Sequence, residues 1–310
     1  MPVPSVSTAF PDILDARFAK MYNDRYKQLP DKLATFYDFV TTGQGGTQKA
    51  DYRTSQIGTF GDIPEFTGTV TYDDVAQQYD VTITPKEYAS GFQIERKLYD
   101  DDLYGIMDSK PKGLATAYQR TRQKHGASVF NGAFSVDTTW LSNTENVAMC
   151  SNSHTTASSG VSTTTGFDNL STSALSATAL TAVRILMVGF RGDRGERISV
   201  MPNMILHPPD LYDRAYEVVK SMGIPDSANN NANVHEGAYQ LVEWNYLTDT
   251  NNWFVIDSTM MKDCLKWVDR VSSEFAMVED FDTLIGKWRI YCRYGLGWND
   301  WRFVHGGQVA

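Results

Sequence analysis

SKPKGLATAYQRTRQKHGASVFNGAFSV, residues 109–136, is the one long segment of this 310-residue chain that combines helical spacing with charge of a single sign. It carries Lys110, Lys112, Arg120, Arg122 and Lys124 and no acidic residue. Leu114, Tyr118, Thr121, His125 and Val129 recur every three or four positions, which places them on one helical face. Asp108 or Ser109 can cap the start, and Pro111 is tolerated in a first turn, where its missing N–H has no helical partner. Asn131-Gly132 supplies a stop. A helix over 111–134 would run roughly 36 Å at 1.5 Å per residue.

Immediately upstream the charge reverses. Thr54 to Pro85 holds Asp62, Glu65, Asp73, Asp74 and Asp80 and neither Lys nor Arg, so two adjacent segments of opposite sign both need partners. Residues 67–73, with Val70 and Tyr72, and 78–84, with Tyr79, Val81 and Ile83, alternate as strands do and predict a β-hairpin with DDVAQ at its bend. A two-stranded ribbon is marginal in water and must dock on something. Further upstream, Ile13, Leu14, Phe18, Met21 and Tyr22 predict a short helix on an extended arm, lying either over its own core or on a neighbouring subunit.

Downstream, residues 95–107 predict a helix weakened by Gly105, and the first part of 151–178, a span with fifteen Ser or Thr, a surface loop. Leu175, Ala179, Ala182, Leu186 and Phe190 then mark a helix ended by GFRGDRGER. Residues 198–207 form a strand. A further helix follows Pro208-Pro209, with Leu211, Ala215, Val218, Val219 and Met222 inward and Gly223 as its cap. Strands over 239–246 and 253–256 flank the turn TDTNN. Trp288, Ile290, Cys292 and Tyr294 alternate with Lys287, Arg289, Tyr291 and Arg293 in the clearest strand of the chain. Residues 273–281 should pair with it and set Glu279 or Asp280 opposite an arginine. The fold class expected is α+β.

A composition of 42% hydrophobic and 21% charged residues is that of a globular protein with a sizeable core. The formal net charge of -9 excludes a general nucleic-acid binder while leaving room for a local basic face. No signal peptide and no run of about 20 apolar residues is present. Cys150, Cys264 and Cys292 are too widely and irregularly spaced for a disulfide framework or a metal knuckle, so a reducing site of folding is expected. No nucleophile elbow, phosphate loop, dinucleotide fingerprint or zinc-protease motif occurs. Cys150 with His154 offers a nucleophile and a base without an orienting third group. Gly189 to Arg197, with Arg191, Arg194 and Arg197, is glycine-rich and basic but follows a helix instead of opening one, so it predicts a mobile loop at a subunit contact. Its Arg191-Gly192-Asp193 matches a cell-adhesion tripeptide by coincidence of three letters. Glu274, Glu279, Asp280 and Asp282 match no calcium loop and predict a solvated strand edge. No cofactor and no metal are expected.

The order of these parts, with YASGFQIERKLYDDDLYGIM (88–107), FNGAF (130–134) and ISVMPNMILHPPDLYDRAYEV (198–218), resembles the major capsid proteins of tailed double-stranded DNA bacteriophages over nearly the whole chain. The resemblance implies their capsid fold: an N-terminal arm over 1–50, an extended loop over 51–94, a peripheral domain with a long spine helix over 95–172 and 263–295, and an axial domain over 173–262 and 296–310. It implies a non-enzymatic shell protein whose pentamers and hexamers close an icosahedral shell around the phage genome, assembled in the host bacterial cytoplasm and resident in the virion. Scaffold and portal proteins are the implied assembly partners, with a decoration protein as a further one and no membrane. The extended loop, with Asp62, Glu65, Asp73, Asp74 and Asp80, would lie on a neighbour, on a basic surface around Arg289 and Arg293. The spine helix, with Lys110, Lys112, Arg120, Arg122 and Lys124, would face packaged DNA or a neighbour. Arg191, Arg194 and Arg197 would sit on an axial-domain loop. No fused scaffold segment precedes the arm, which implies a separate or already removed scaffold, and the loop lacks a lysine for covalent crosslinking. An encapsulin-like nanocompartment shell and a Cys/His or Ser hydrolase are the alternatives.

Overall fold

The computed structural model describes residues 11–41, 50–70, 72, 75–101, 105–223, 232–280, 282–283 and 285–309. Its helices are α1 (Pro11–Gln28), α2 (Leu33–Phe36), α3 (Arg96–Asp100), α4 (Ser109–Asn131), α5 (Ala177–Val188), α6 (Tyr212–Lys220) and α7 (Ser258–Cys264). Its strands are β1 (Asp38–Thr41), β2 (Tyr52–Ile57), β3 (Gln77–Ile83), β4 (Lys86–Glu95), β5 (Leu141–Asn143), β6 (Leu170–Ser171), β7 (Met204–His207), β8 (Gln240–Glu243), β9 (Trp253–Ile256), β10 (Leu265–Asp280), β11 (Ile285–Trp298) and β12 (Val304–Gly307). Among the described residues they form sheets ordered β1-β10-β11-β4, β6-β12-β9-β7-β8 and β2-β3-β5.

The alternation in β11 organises the first sheet. Trp288, Ile290, Cys292 and Tyr294 are all buried, because every second side chain of a strand faces the same side. β10 pairs antiparallel with β11 as expected, but Glu279 lies opposite Gly286 and Asp280 opposite Ile285. Neither faces an arginine across the ladder; Glu279 meets Arg96 at 3.8 Å and Asp280 meets Lys287 at 3.3 Å.

α1 packs on this sheet and on α4. The Phe18 ring meets Trp288 edge-on at 5.2 Å, and Tyr22 stacks on Phe275 at 5.4 Å. Of the two placements open for this helix, the structure takes the one over its own core.

α4 is the predicted long helix. It buries Leu114 and Val129 as expected, and also Ala115, Gln119, Arg122, Gln123, Ala127 and Phe130, because it is covered by more than one element. Gly126 explains how a neighbour comes so close. A Cβ there would lie 2.2 Å from Leu33 Cδ2 and 3.3 Å from two atoms of the Trp244 indole. Tyr37 donates its hydroxyl to the Gly126 carbonyl at 2.7 Å, and Phe36 stacks on Trp244 at 4.8 Å. A glycine that costs helix propensity thus gives α2 its seat.

The hairpin forms one strand earlier than the alternation predicts. β2 pairs with β3 from Tyr52↔Ile83 to Ile57↔Gln77, and residues 58–70 belong to no strand. Val81 and Ile83 are fully buried and fix the register from the root, while Gly58, Gly61 and Pro64 are poor ladder residues. The helix expected over 95–107 is also shorter, because β4 runs through Glu95 and Gly105 adopts φ +66°. Among the described residues of this span, α3 and a 3-10 turn over Ile106–Asp108 remain.

In the five-stranded sheet, β7 and β9 are buried at all four positions each, as a central strand covered on both faces requires. β8 and β9 do not form a hairpin around TDTNN, because β7 lies between them, parallel to β8 and antiparallel to β9. The strand expected over 198–207 is confined to β7. α5 turns Leu180, Val183 and Met187 inward, so Leu186 faces outward. α6 buries Ala215, Val218 and Val219 and is capped at Ser221, leaving Met222 exposed and Gly223 beyond the cap.

Candidate assembly surfaces

α4 divides its cations. Lys110, Lys112, Arg120 and Lys124 are exposed, and no salt bridge or side-chain hydrogen bond engages them among the described residues. Arg122 does not belong with them. Its side chain lies on the face turned toward α1 and β10 and is only 6% exposed. The guanidinium sits 5.0 Å from the Trp267 ring centre, 5.7 Å from Tyr118 and 5.8 Å from Phe39, and it donates to the Tyr26 hydroxyl. Burial works against its charge, but Tyr26, Tyr118, Asp269 and Asp31 outweigh that effect and raise its pKa. It is a core cation held by aromatic faces and cannot reach DNA or a neighbour.

Among the described residues, the loop between β2 and β3 is tied down at its root. Gln56 Nε2 donates to the Asn299 carbonyl, the Thr59 hydroxyl to Glu196, and Gly58 N–H to Ala76 at 2.9 Å. Asp80 is exposed but already engaged: Ser55 and then Gln77 donate to its carboxylate and lower its pKa. Asp62 and Glu65 are exposed and have no partner among the described residues. Asp73 and Asp74 lie outside the described residues. The residues missed by a charge-based reading are Phe60, Ile63 and Phe66, exposed by 64%, 96% and 70%.

The loop over 189–197 is pinned, not mobile. Arg302, itself buried, bonds Asp193 Oδ1 at 2.9 Å, Asp300 Oδ2 at 3.0 Å and the Arg191 carbonyl at 2.8 Å. Arg191 Nη1 donates to the Gly195 carbonyl at 2.6 Å. Burial lifts the Asp193 carboxyl above its ordinary range even with that guanidinium beside it. Gly192 and Asp193 are buried, which closes the adhesion-tripeptide reading, whereas Arg194 and Arg197 are exposed.

The candidate chemistry dissolves. Cys150 is buried and its thiol is pushed far up by that burial, the reverse of an activated nucleophile. His154 stacks on Trp301 at 4.2 Å and pairs with Glu145 at 3.1 Å. In the pocket of about 190 Å³ beside α4, Cys292 is likewise raised, to about 11, by burial. Among the described residues no group of His, Cys, Asp or Glu could hold a metal ion.

A family model described as "Phage capsid protein" matches residues 78–305. The chain belongs to that family. The capsid protein has the fold of tailed-phage major capsid proteins. It matches the procapsid of bacteriophage JBD30 at TM-score 0.53 and 12% identity over 97% of this chain and 76% of that one. It matches the mature capsid of bacteriophage PhiM1 at 0.56 and 8% over 91% and 88%. The capsid of a native GTA particle follows at 0.52 and 12% over 91% of each. No curated protein matches it. The capsid protein is a structural shell protein, not an enzyme. It belongs to the virion capsid. No helix of the described residues is long and apolar enough to cross a membrane.

Proposed function

We propose that this chain is the repeating subunit of an icosahedral head, forming pentamers and hexamers around a double-stranded DNA genome in the host bacterial cytoplasm. The observation that carries this reading is the loop over 58–70, which leaves a self-contained core and keeps large apolar side chains uncovered. A subunit completed only by its neighbours has this form. The peripheral domain is 95–172 with 263–295, and α4 is its spine helix. The axial domain is 173–262 with 296–310, the arm is 1–50, and the extended loop is 51–94, whose root strand β4 joins the β10–β11 sheet.

In this reading the loop crosses to a neighbouring subunit with Asp62 and Glu65. Lys110, Lys112, Arg120 and Lys124 face packaged DNA and contact phosphates without sequence preference. Arg194 and Arg197 meet an adjoining axial domain. A separate scaffold protein and a portal serve assembly. The JBD30 capsid is decorated with minor capsid protein trimers, and a decoration protein of that kind is a further partner. Electron microscopy of the purified protein, alone and with its scaffold, tests the reading: closed shells are expected. A chain that stays monomeric at every concentration and with every scaffold tried overturns it.

A further inference from the structure

The root of the extended loop carries a triplet pattern that neither a helix nor a strand explains. Residues 57–68 read as Ile57-Gly58-Thr59, Phe60-Gly61-Asp62, Ile63-Pro64-Glu65 and Phe66-Thr67-Gly68. Each triplet is a large apolar residue, a small or ring-closed one, and a polar residue or glycine. Ile57, Phe60, Ile63 and Phe66 are 74%, 64%, 96% and 70% exposed. Residues 58–66 adopt neither helix nor strand. An extended run with three residues per turn places every third side chain on one edge. Pro64 presets such a backbone, and Gly58 and Gly61 suit it. Every third position from Ile57 to Phe66 is thus a large, exposed apolar residue, and Asp62 and Glu65 stand immediately before the next one.

We infer that residues 57–66 form an apolar edge that seats in a groove on a second copy of this chain, with Ile57, Phe60, Ile63 and Phe66 buried and Asp62 and Glu65 left at the rim. The inference rests on the proposed crossing of the loop to a neighbour and assigns what holds it there. Among the described residues, 62–70 make no hydrogen bond, ion pair or ring contact with their own chain, and Ile63 and Phe66 remain 96% and 70% exposed. Two Phe and two Ile present roughly 500 Å² of side chain, at 150–250 Å² for an aromatic. That is over half of the ~800 Å² that one partner contributes to a stable interface. A membrane is a poorer occupant, because the acids beside the apolar edge would meet anionic headgroups. Since surface ion pairs contribute little and are screened by salt, the acids tune this contact and the apolar edge supplies it.

Two double variants separate the alternatives in an assembly assay read by light scattering and electron microscopy. Ile63→Ser with Phe66→Ser is expected to lower shell yield by roughly tenfold or more, as removal of central apolar anchors does. The circular dichroism and thermal midpoint of the free subunit should stay unchanged, because these side chains are largely exposed in it. Asp62→Asn with Glu65→Gln should assemble within about twofold of the wild type. Ile63→Leu should restore assembly, and a polarity-sensitive dye on Ile63→Cys should shift to the blue as shells form. Wild-type yield from the serine pair, an equal loss from the amide pair, or a dye that does not shift overturns the inference. Failure of the wild-type chain to form shells under any condition is distinct: it removes the shell reading and this inference with it.

Discussion

α4 and the extended loop are inside out relative to their charge. The basic helix hides one of its five cations in an aromatic cage, whereas the acidic loop leaves Phe60, Ile63 and Phe66 in water. Charge sign in a sequence describes a segment's solubility; the spacing of its large side chains decides what it touches. Arg122 follows from the first half of that lesson. It lies two residues from Arg120 and two from Lys124, and a rotation of about 200° between positions i and i+2 takes it to the other side of the helix.

The largest effect that can break this contrast is expected at Arg122. Arg122→Ala removes a buried cation that faces Trp267, Tyr118, Phe39 and Tyr26 and leaves a cavity, which should cost about 3 kcal/mol in denaturant unfolding of the subunit. Arg122→Met, which keeps the stem and drops the charge, should recover part of that. A denaturation midpoint for Arg122→Ala equal to that of Arg120→Ala would place Arg122 in solvent and end the contrast.

His305 sharpens the same point with a second buried base. Arg122 has partners and keeps its charge. Neither ring nitrogen of His305 has one, and burial pushes its pKa down to about 4. The unfolded chain takes up this proton near pH 6.5 and the folded chain only near pH 4, so the group favours folding above 6.5 and loses that contribution as pH falls toward 4. The fall amounts to roughly 3 kcal/mol, at 1.36 kcal/mol per pKa unit. His125, His207 and His235 are also lowered, first by burial, and add in the same direction. The fall of stability between pH 7 and 4 should therefore flatten in His305→Leu relative to the wild type; identical slopes would show that His305 titrates alike in the folded and unfolded chain and carries no linkage.

Two glycines on α4 separate packing from propensity on one helix. Gly113 has nothing within 4 Å of a would-be Cβ, and Gly126 has Leu33 and Trp244 against it. Gly113→Ala should stabilise the subunit by about 0.5–1 kcal/mol through helix propensity and a less free unfolded chain. Gly126→Ala should destabilise it by about 1 kcal/mol, since overpacking of about 1–3 kcal/mol outweighs the same propensity gain. Thermal unfolding of the two variants checks the opposite signs.

Much of this was legible. The length of α4, the inward face of β11 and the existence of α1 follow from spacing alone, because long amphipathic periods survive any tertiary context, whereas the surface on which α1 docks does not. The β2–β3 register was not: Val70 and Tyr72 alternate as convincingly as Tyr52 and Thr54, and only the burial of Val81 and Ile83 at the root selects the earlier partner. Nor was the pinning of residues 189–197, which depends on Arg302 more than a hundred positions away. The triplets from Ile57 to Gly68 stood in the sequence throughout.

The smallest effect on stability belongs to the exposed cations of α4, and it is the most informative about function. Lys110, Lys112, Arg120 and Lys124 changed together to Gln should leave the thermal midpoint of the subunit where it is, because none has a partner to lose. Binding of a short DNA duplex should respond differently. Each phosphate contact contributes about -0.9 to the slope of log affinity against log salt, so losing four contacts should flatten that slope by roughly 3 to 4. Arg122→Met should leave it unchanged, because a cation enclosed by Trp267 and Tyr118 releases no counterion. An unaltered slope in the fourfold variant would turn this face of α4 away from DNA and toward a protein neighbour, and the two inside-out segments would then be candidates for one interface instead of two.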